Sequence, residues 1–296
     1  MSKNRHAISV ILAACLWGFM GFFRRKMGDM GLNTFGIILA RCAFSALLYA
    51  LTIALTKPVE FKIRPRDFWC FVGSGLCSLL FFSICYFQAM SLMTLSAAAI
   101  LLYTAPCFVI LLSALLFKER ITGRKVFAML LAFAGCCLTS GVVGSDIRIS
   151  TVGILYGLGS GFGYALYSIF SRLALNRGYS SITISFWSCL LAGIGAALIF
   201  GFREPMGIIF SSAGNLLFCF AAAIISTYLP YLLYTYGLEG IEAGKASIMA
   251  SVEPVVATLV GLFLFNEILS LWSVLGIILV LSAIVLLNSK TGDTKI

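Results

Sequence analysis

The chain has 296 residues, of which 61% are hydrophobic and 11% charged, with a net charge of +10 at neutral pH. A soluble domain carries roughly 25% charged residues, so this composition excludes an ordinary wetted surface. The positive balance is not a nucleic-acid footprint, because Lys and Arg collect in short segments between apolar runs, where they orient a membrane protein. In chain order the apolar runs predict ten spans, at 7–23, 33–56, 68–90, 96–117, 126–143, 152–171, 181–200, 214–236, 246–265 and 271–288. Each is about 18–24 residues long, enough to cross roughly 30 Å of hydrocarbon as a helix. They leave no linker or tail long enough for a separate soluble domain. The predicted fold class is therefore all-α and integral to the membrane.

Lys3, Arg5 and the run from Ala7 resemble a signal peptide, and Leu12-Ala13-Ala14-Cys15 resembles a lipoprotein cleavage box. Nine spans follow and the repeat described below needs this one, so it is read as the first span. All ten cysteines fall inside or at the edge of apolar runs, where they act as small hydrophobes. No Cys or His spacing suggests a metal, and no disulfide framework is expected. The four aspartates lie in loops or the tail, and the single histidine, His6, is N-terminal. No catalytic dyad or His-based relay can be assembled within the membrane, and no Walker loop is present. The chain is thus not read as an enzyme, and no cofactor is expected.

The sequence resembles itself at an offset of 147–148. Tyr86, Pro106, Phe117 and Glu119 recur as Tyr234, Pro254, Phe265 and Glu267, and Arg25 and Cys42 recur as Arg172 and Cys189. A repeated mid-span proline with a glutamate thirteen residues later is far more specific than repeated leucine. The chain therefore reads as two five-helix units, 1–148 and 149–296. Five is odd, so the second unit enters the membrane from the opposite side, which is the inverted repeat of many secondary transporters. With the N-terminus inside, the inner segments hold fifteen Lys and Arg and the outer ones five, with Arg41 within a span. That bias predicts both termini on the cytoplasmic side of the cell membrane. Arg24-Arg25-Lys26 is the contrary outer cluster.

Several motifs resemble those of the EamA-type carriers of the drug/metabolite transporter superfamily. They are Trp17-Gly18, Arg41, Pro106 with Phe117-Lys118-Glu119, Tyr164-Ala165-Leu166-Tyr167 with Arg172, Glu253-Pro254, and Phe265-Asn266-Glu267. Tyr164 stands where the family's second repeat often has Trp. The resemblance implies a carrier of a small molecule by alternating access. Spans 3, 4, 8 and 9 would surround a central cavity, spans 1, 2, 6 and 7 would gate it, and spans 5 and 10 would be peripheral. It also implies a metabolite substrate, an amino acid or related solute, and favours export. Import of a small amine or nucleobase-like solute is the alternative, and a channel or membrane scaffold is the non-transporting one. Oligomeric state is not legible.

Glu253 is the most informative residue, because a carboxylate well inside a span is costly and marks a functional site by default. It could bind a cationic amine, take up a proton as the coupling ion, or be a structural carboxylate held by Arg41 or by donors near Pro254. Arg41 is read as a pairing or gating residue. Snorkelling to the surface and gripping a substrate carboxylate are its alternatives. Pro106 and Pro254 each free a backbone carbonyl and kink their spans symmetrically. Trp17, Tyr86, Tyr103, Tyr164, Tyr228 and Tyr231 are the aromatic candidates for substrate contact. Tyr228, Tyr231 and Tyr234 are three apart and read as one side of the eighth span, suited to an aromatic or cationic group. Gly153, Gly157 and Gly161 read as a helix-packing face rather than a nucleotide loop. Glu119 and Glu267 read as holding loop geometry through basic neighbours or helix N-termini. The halves differ at Tyr103 against Ser251, Ser83 against Tyr231 and Phe82 against Pro230.

Overall fold

The computed structural model describes residues 2–141, 150–265 and 270–288. Expectations resting on Arg148, Asn266, Glu267, Lys290 and Lys295 lie outside the described residues. Those described are helical, with no strand among them. In chain order the long helices are α1 (Asn4–Asp29), α2 (Thr34–Thr56), α3 (Pro65–Leu92) and α4 (Ser96–Phe117). There follow α5 (Gly123–Thr139), then α6 (Thr151–Leu175), α7 (Ser181–Phe200), α8 (Ala213–Gly240), α9 (Ala243–Phe265) and α10 (Leu271–Asn288). Nine of them are long and apolar enough to cross a membrane. The other, α5, has 17 residues, just under the roughly 18 expected of a span. Gly141 ends it at φ +72°, a left-handed conformation open to glycine at no steric cost.

Local chemistry sets the ends. Asn33 caps α2 by accepting from the Gly36 amide at 2.8 Å. Ser150, Ser180 and Thr122 cap α6, α7 and α5 in the same way. The first helix runs past its expected end. The charges at 24–26 end the apolar run but favour helix, so they sit on its extension Met20–Asp29 rather than in a loop.

Small residues bring the helices close. On α6, Gly157 and Gly161 face α4, where an added Cβ would stand 2.7 Å from the Leu101 Cβ and 2.9 Å from the Leu101 carbonyl oxygen respectively. Gly163 faces α3, where a Cβ would meet the Phe82 backbone at 3.0 Å. The expected packing role of these glycines is what the structure shows. α5 and α10 cross glycine to glycine, with a Cβ on Gly135 2.7 Å from the Gly276 carbonyl oxygen and the reverse contact at 2.6 Å.

Four helices are irregular near their middles. α4 breaks into Leu95–Leu102 and Ala105–Phe117, with Pro106 in the first turn of the second piece. α9 passes through a 3-10 turn, Ala250–Val252, before Glu253 and Pro254 open its second piece. α3 and α8 each contain a π-helical stretch, Gly73–Leu80 and Ile224–Tyr228. In a bilayer such breaks persist only where protein or a wet cavity satisfies the backbone.

Polar contacts tie the helices together on the side of the N-terminus. The Glu60 carboxylate accepts from Ser180 at 2.5 Å and Thr183 at 2.7 Å. Asp67 accepts from Tyr179 at 2.9 Å and pairs with Arg64 at 2.9 Å and Arg177 at 3.1 Å. Glu119 accepts from the Ala243 and Gly244 amides at 3.0 and 3.4 Å, capping α9, with Lys125 3.9 Å away. Glu119 therefore has both kinds of partner expected of it, a helix N-terminus and a basic neighbour.

Candidate binding cavity

A partly open cavity of about 450 Å³ lies on the other side of the molecule. Its walls come from the later halves of α1 and α3 and the earlier halves of α2 and α4, with the middles of α6, α8 and α9 below. α7 and α10 contribute nothing to the lining. α5, expected at the periphery, reaches the cavity through Thr139 and Ser140 at its end.

The break in α9 positions Glu253. Its carboxylate begins the second helical piece and faces the cavity, where the Tyr164 hydroxyl donates to it over a long 3.5 Å. Gly18 allows this arrangement, since a Cβ there would lie 2.6 Å from the Val256 side chain and 3.0 Å from the Glu253 carbonyl oxygen. The Trp17-Gly18 pair thus places an indole in the cavity wall while α1 passes against the α9 break.

Arg41 also lines the cavity, but its expected pairing with Glu253 is not formed. No ion pair within 4.0 Å joins them. Its Nε donates to the Thr227 Oγ1 at 2.9 Å and its Nη2 to the Ser226 carbonyl at 3.0 Å. The cause lies in α8. Ser226 lies in the π-helical stretch, where the bonds run to i−5 rather than i−4, and Pro230 removes one amide from the turn that follows. Arg41 adds a donor to a carbonyl of this irregular stretch. The partner of Arg41 is therefore the irregular stretch of α8, bonded through Nε and Nη2, while the residue itself lines the cavity.

The aromatic candidates divide. Trp17, Tyr86, Tyr103, Tyr164 and Tyr231 line the cavity. Tyr228 does not. Its hydroxyl bonds Thr52 at 2.9 Å, its carbonyl accepts from Tyr49 at 2.6 Å, and its ring lies 4.5 Å from that of Tyr49. A three-residue step falls roughly 60° short of a full turn, so a row at that spacing winds around the helix rather than along one face. Tyr228 consequently faces α2. Tyr234 lies beneath the cavity, bonded to Ser168 at 2.7 Å. Trp17, Tyr164 and Tyr231 form the floor, with Trp17 edge-on to both tyrosines at 5.2 and 6.1 Å. Below them Tyr167 bonds Thr235 at 2.8 Å. Of the two prolines, Pro254 borders the cavity and Pro106 does not, because its piece of α4 starts beyond the wall.

Sequence reasoning missed Arg24. It lines the cavity with its guanidinium 5.3 Å from the Phe87 ring and a hydrogen bond to the Met90 sulfur at 3.4 Å. The signal was present in the positive cluster that ran against the charge bias. Ser140 and Thr258 were also missed, while Ser83 was singled out only as a difference between the halves. All three, Ser83, Ser140 and Thr258, line the cavity and donate their hydroxyls to their own helices, to the Leu79, Cys137 and Pro254 carbonyls respectively. The site therefore holds two guanidinium groups and one carboxylate, none paired with another, within an aromatic wall.

A family model, that of the EamA-like transporter family, matches residues 5–141 and 151–289. A protein of Archaeoglobus fulgidus named only as an uncharacterized transporter is 28% identical over 279 residues, covering 94% of each chain. The uncharacterized transporter YwfM of Bacillus subtilis (strain 168) is 27% identical over 301 residues, covering 100% of this chain and 97% of its own. The uncharacterized inner membrane transporter YicL of Salmonella typhimurium is 24% identical over 294 residues, covering 97% of this chain and 96% of its own. A crystal structure of 17% sequence identity superposes with a TM-score of 0.81 over 97% of both chains, a likeness of fold alone.

Proposed function

The chain belongs to the EamA-like transporter family, and from that premise we propose that it is a secondary carrier moving a small metabolite across the cytoplasmic membrane by alternating access. The observation that carries this is the cavity of about 450 Å³. It is partly open toward one side and floored on the other by the Trp17, Tyr164 and Tyr231 layer, with charged groups held at the depth of broken helices. Discontinuous helices beside a central site are a recurring way for carriers to expose backbone and bind solutes. The substrate is an amino acid or related solute, and export is the direction implied by the resemblance to metabolite exporters.

The architecture in this reading is ten spans in two inverted units, 1–148 and 149–296, with both termini cytoplasmic. The doubled match to the family model supports it. So does the placing of the π-helical stretches, since Ile224–Tyr228 moved by 148 residues falls at 76–80, within Gly73–Leu80. The Lys and Arg bias supports the orientation, which makes the cavity outward-facing. The name of the Salmonella relative supports the membrane. Glu253 is the group for a coupling proton, because it is the carboxylate in the cavity wall and its one hydrogen bond is long.

A thermal-shift screen of purified protein against metabolites identifies candidate solutes, since binding stabilises the native state by mass action. Proteoliposomes loaded with a hit then distinguish the mechanisms. Saturable flux with counterflow is expected. Flux that rises linearly with concentration would make the protein a channel, and none at all would make it a scaffold.

A further inference from the structure

We propose that the group recognised in this cavity is a carboxylate on an aromatic or apolar body, taken by Arg24 and Arg41, and that an amine on the solute is dispensable. The inference rests on the carrier reading of the same site.

The charge inventory points this way. A guanidinium has five N–H donors. Arg24 spends one on the Met90 thioether, a weak acceptor, and no carboxylate lies within ion-pair distance of it among the described residues. Arg41 spends Nε and Nη2 on α8 and keeps Nη1. Inside a low-dielectric wall, unspent guanidinium donors attract a planar anion strongly, and carboxylates fit their forked geometry. The acid in the same wall, Glu253, has a single long bond from Tyr164. The lining therefore carries more positive than negative charge, which disfavours a bare cation and favours an anion. A substrate ammonium can be accommodated at Glu253, which makes an amine tolerated rather than required.

The body of the solute follows from the remaining wall. Trp17, Phe82, Tyr86, Phe87 and Tyr103 present ring faces and edges. Rings prefer offset or edge-on partners, so a flat apolar group gains packing there that a sugar would not. Arg24 is further held over Phe87 at 5.3 Å, so its planar fork is partly ordered before an anion arrives.

Four probes sharing a phenyl body test this: 3-phenylpropionate, phenylalanine, phenethylamine and phenethyl alcohol. They are titrated against the purified full chain in neutral-lipid nanodiscs, read by melting temperature. The two carboxylates are expected to stabilise and the other two to have no effect at equal concentration. Arg24→Gln should melt close to wild type without ligand, yet raise the half-saturating 3-phenylpropionate concentration about tenfold or more, the usual loss for one charged hydrogen bond. Arg24→Lys should recover part of that loss. The inference is overturned if phenethylamine or the alcohol stabilises as well as the carboxylates. It is also overturned if none of the four binds, or if Arg24→Gln binds 3-phenylpropionate as wild type does. Stabilisation by added anionic lipid with no response to 3-phenylpropionate would assign Arg24 to headgroups and overturn it too. The carrier reading fails separately. Carboxylate binding without counterflow in proteoliposomes defeats that reading alone, and counterflow of phenethylamine alone defeats this inference alone.

Discussion

Arg41 holds the Ser226 carbonyl one turn before Pro230. The proline removes one amide from a turn of α8, and just before it the Arg41 Nη2 donates to the Ser226 carbonyl from α2 at 3.0 Å. A π-helical stretch at Ile224–Tyr228 turns the neighbouring Thr227 hydroxyl to the same guanidinium at 2.9 Å. Both residues stand on one side of the repeat only, where the other has Ser188 and Phe82.

That relationship predicts coupling. Arg41→Gln should destabilise the protein by about 1.5–3 kcal/mol, the range for a lost bond to a charged donor. In a Pro230→Ala background, where residue 230 regains an amide, the loss should be smaller. Thermal melts of the four proteins measure this, and strictly additive shifts would show that Pro230 and Arg41 are not coupled through this turn of α8.

Glu253→Gln should remain folded, with a melting temperature near that of wild type, and should lose transport in proteoliposomes. Normal flux by this variant would remove Glu253 from both coupling and substrate contact.

Gly18 holds α1 against the α9 break. Gly18→Ala places a methyl 2.6 Å from the Val256 side chain and 3.0 Å from the Glu253 carbonyl oxygen. An overpacking loss of about 1–3 kcal/mol is expected. Gly18→Ala with Val256→Ala should recover much of it in the same melting assay.

Tyr228 and Tyr231 should separate in function despite their spacing. Tyr228→Phe loses the bond to Thr52 and should cost about 0.5–1.5 kcal/mol of stability with substrate affinity unchanged. Tyr231→Ala should weaken substrate binding, because it removes part of the cavity floor. Equal effects of the two on affinity would contradict the placement of Tyr228 against α2.

Glu60 gives a pH dependence outside the membrane. The Ser180 hydroxyl, joined by Thr183, holds its carboxyl below the ordinary glutamate value of about 4.3. A lowered folded-state value contributes stability that is present above the ordinary value and lost as pH falls through the folded one. Glu60→Gln should therefore melt below wild type at neutral pH, and the gap should narrow as the pH falls below the ordinary glutamate value. A gap that stays constant with pH would show that ionisation of Glu60 contributes nothing.

The spans were legible because run length is a strong signal in a bilayer, and the prolines at 106, 230 and 254 marked three of the four irregular helices. The failures have physical causes. Arg24 was placed in a loop because three charges end an apolar run, although they do not end a helix. Depth along the membrane normal put Arg41 near Glu253 but said nothing about direction around α2, so its partner on α8 was hidden. The row of tyrosines on α8 was read as a face, and the helix turns it away by about 60° at each step. The π-helical stretches leave no mark in residue type, since their hydrogen bonds shift while composition does not.

The three charged side chains of the cavity share one further property. At the offset of 147–148, Arg24, Arg41 and Glu253 stand opposite Ser171, Ser188 and Ala105. Each charge near the bilayer centre adds about 2.5–3.5 kcal/mol to the work of insertion, so a faithfully duplicated site would double that burden during biosynthesis. In the proposed two-unit reading, confining the charges to single copies limits that work to one set of positions. A change of specificity then requires substitutions at one set of positions, while the residues that pack the two halves stay as they are.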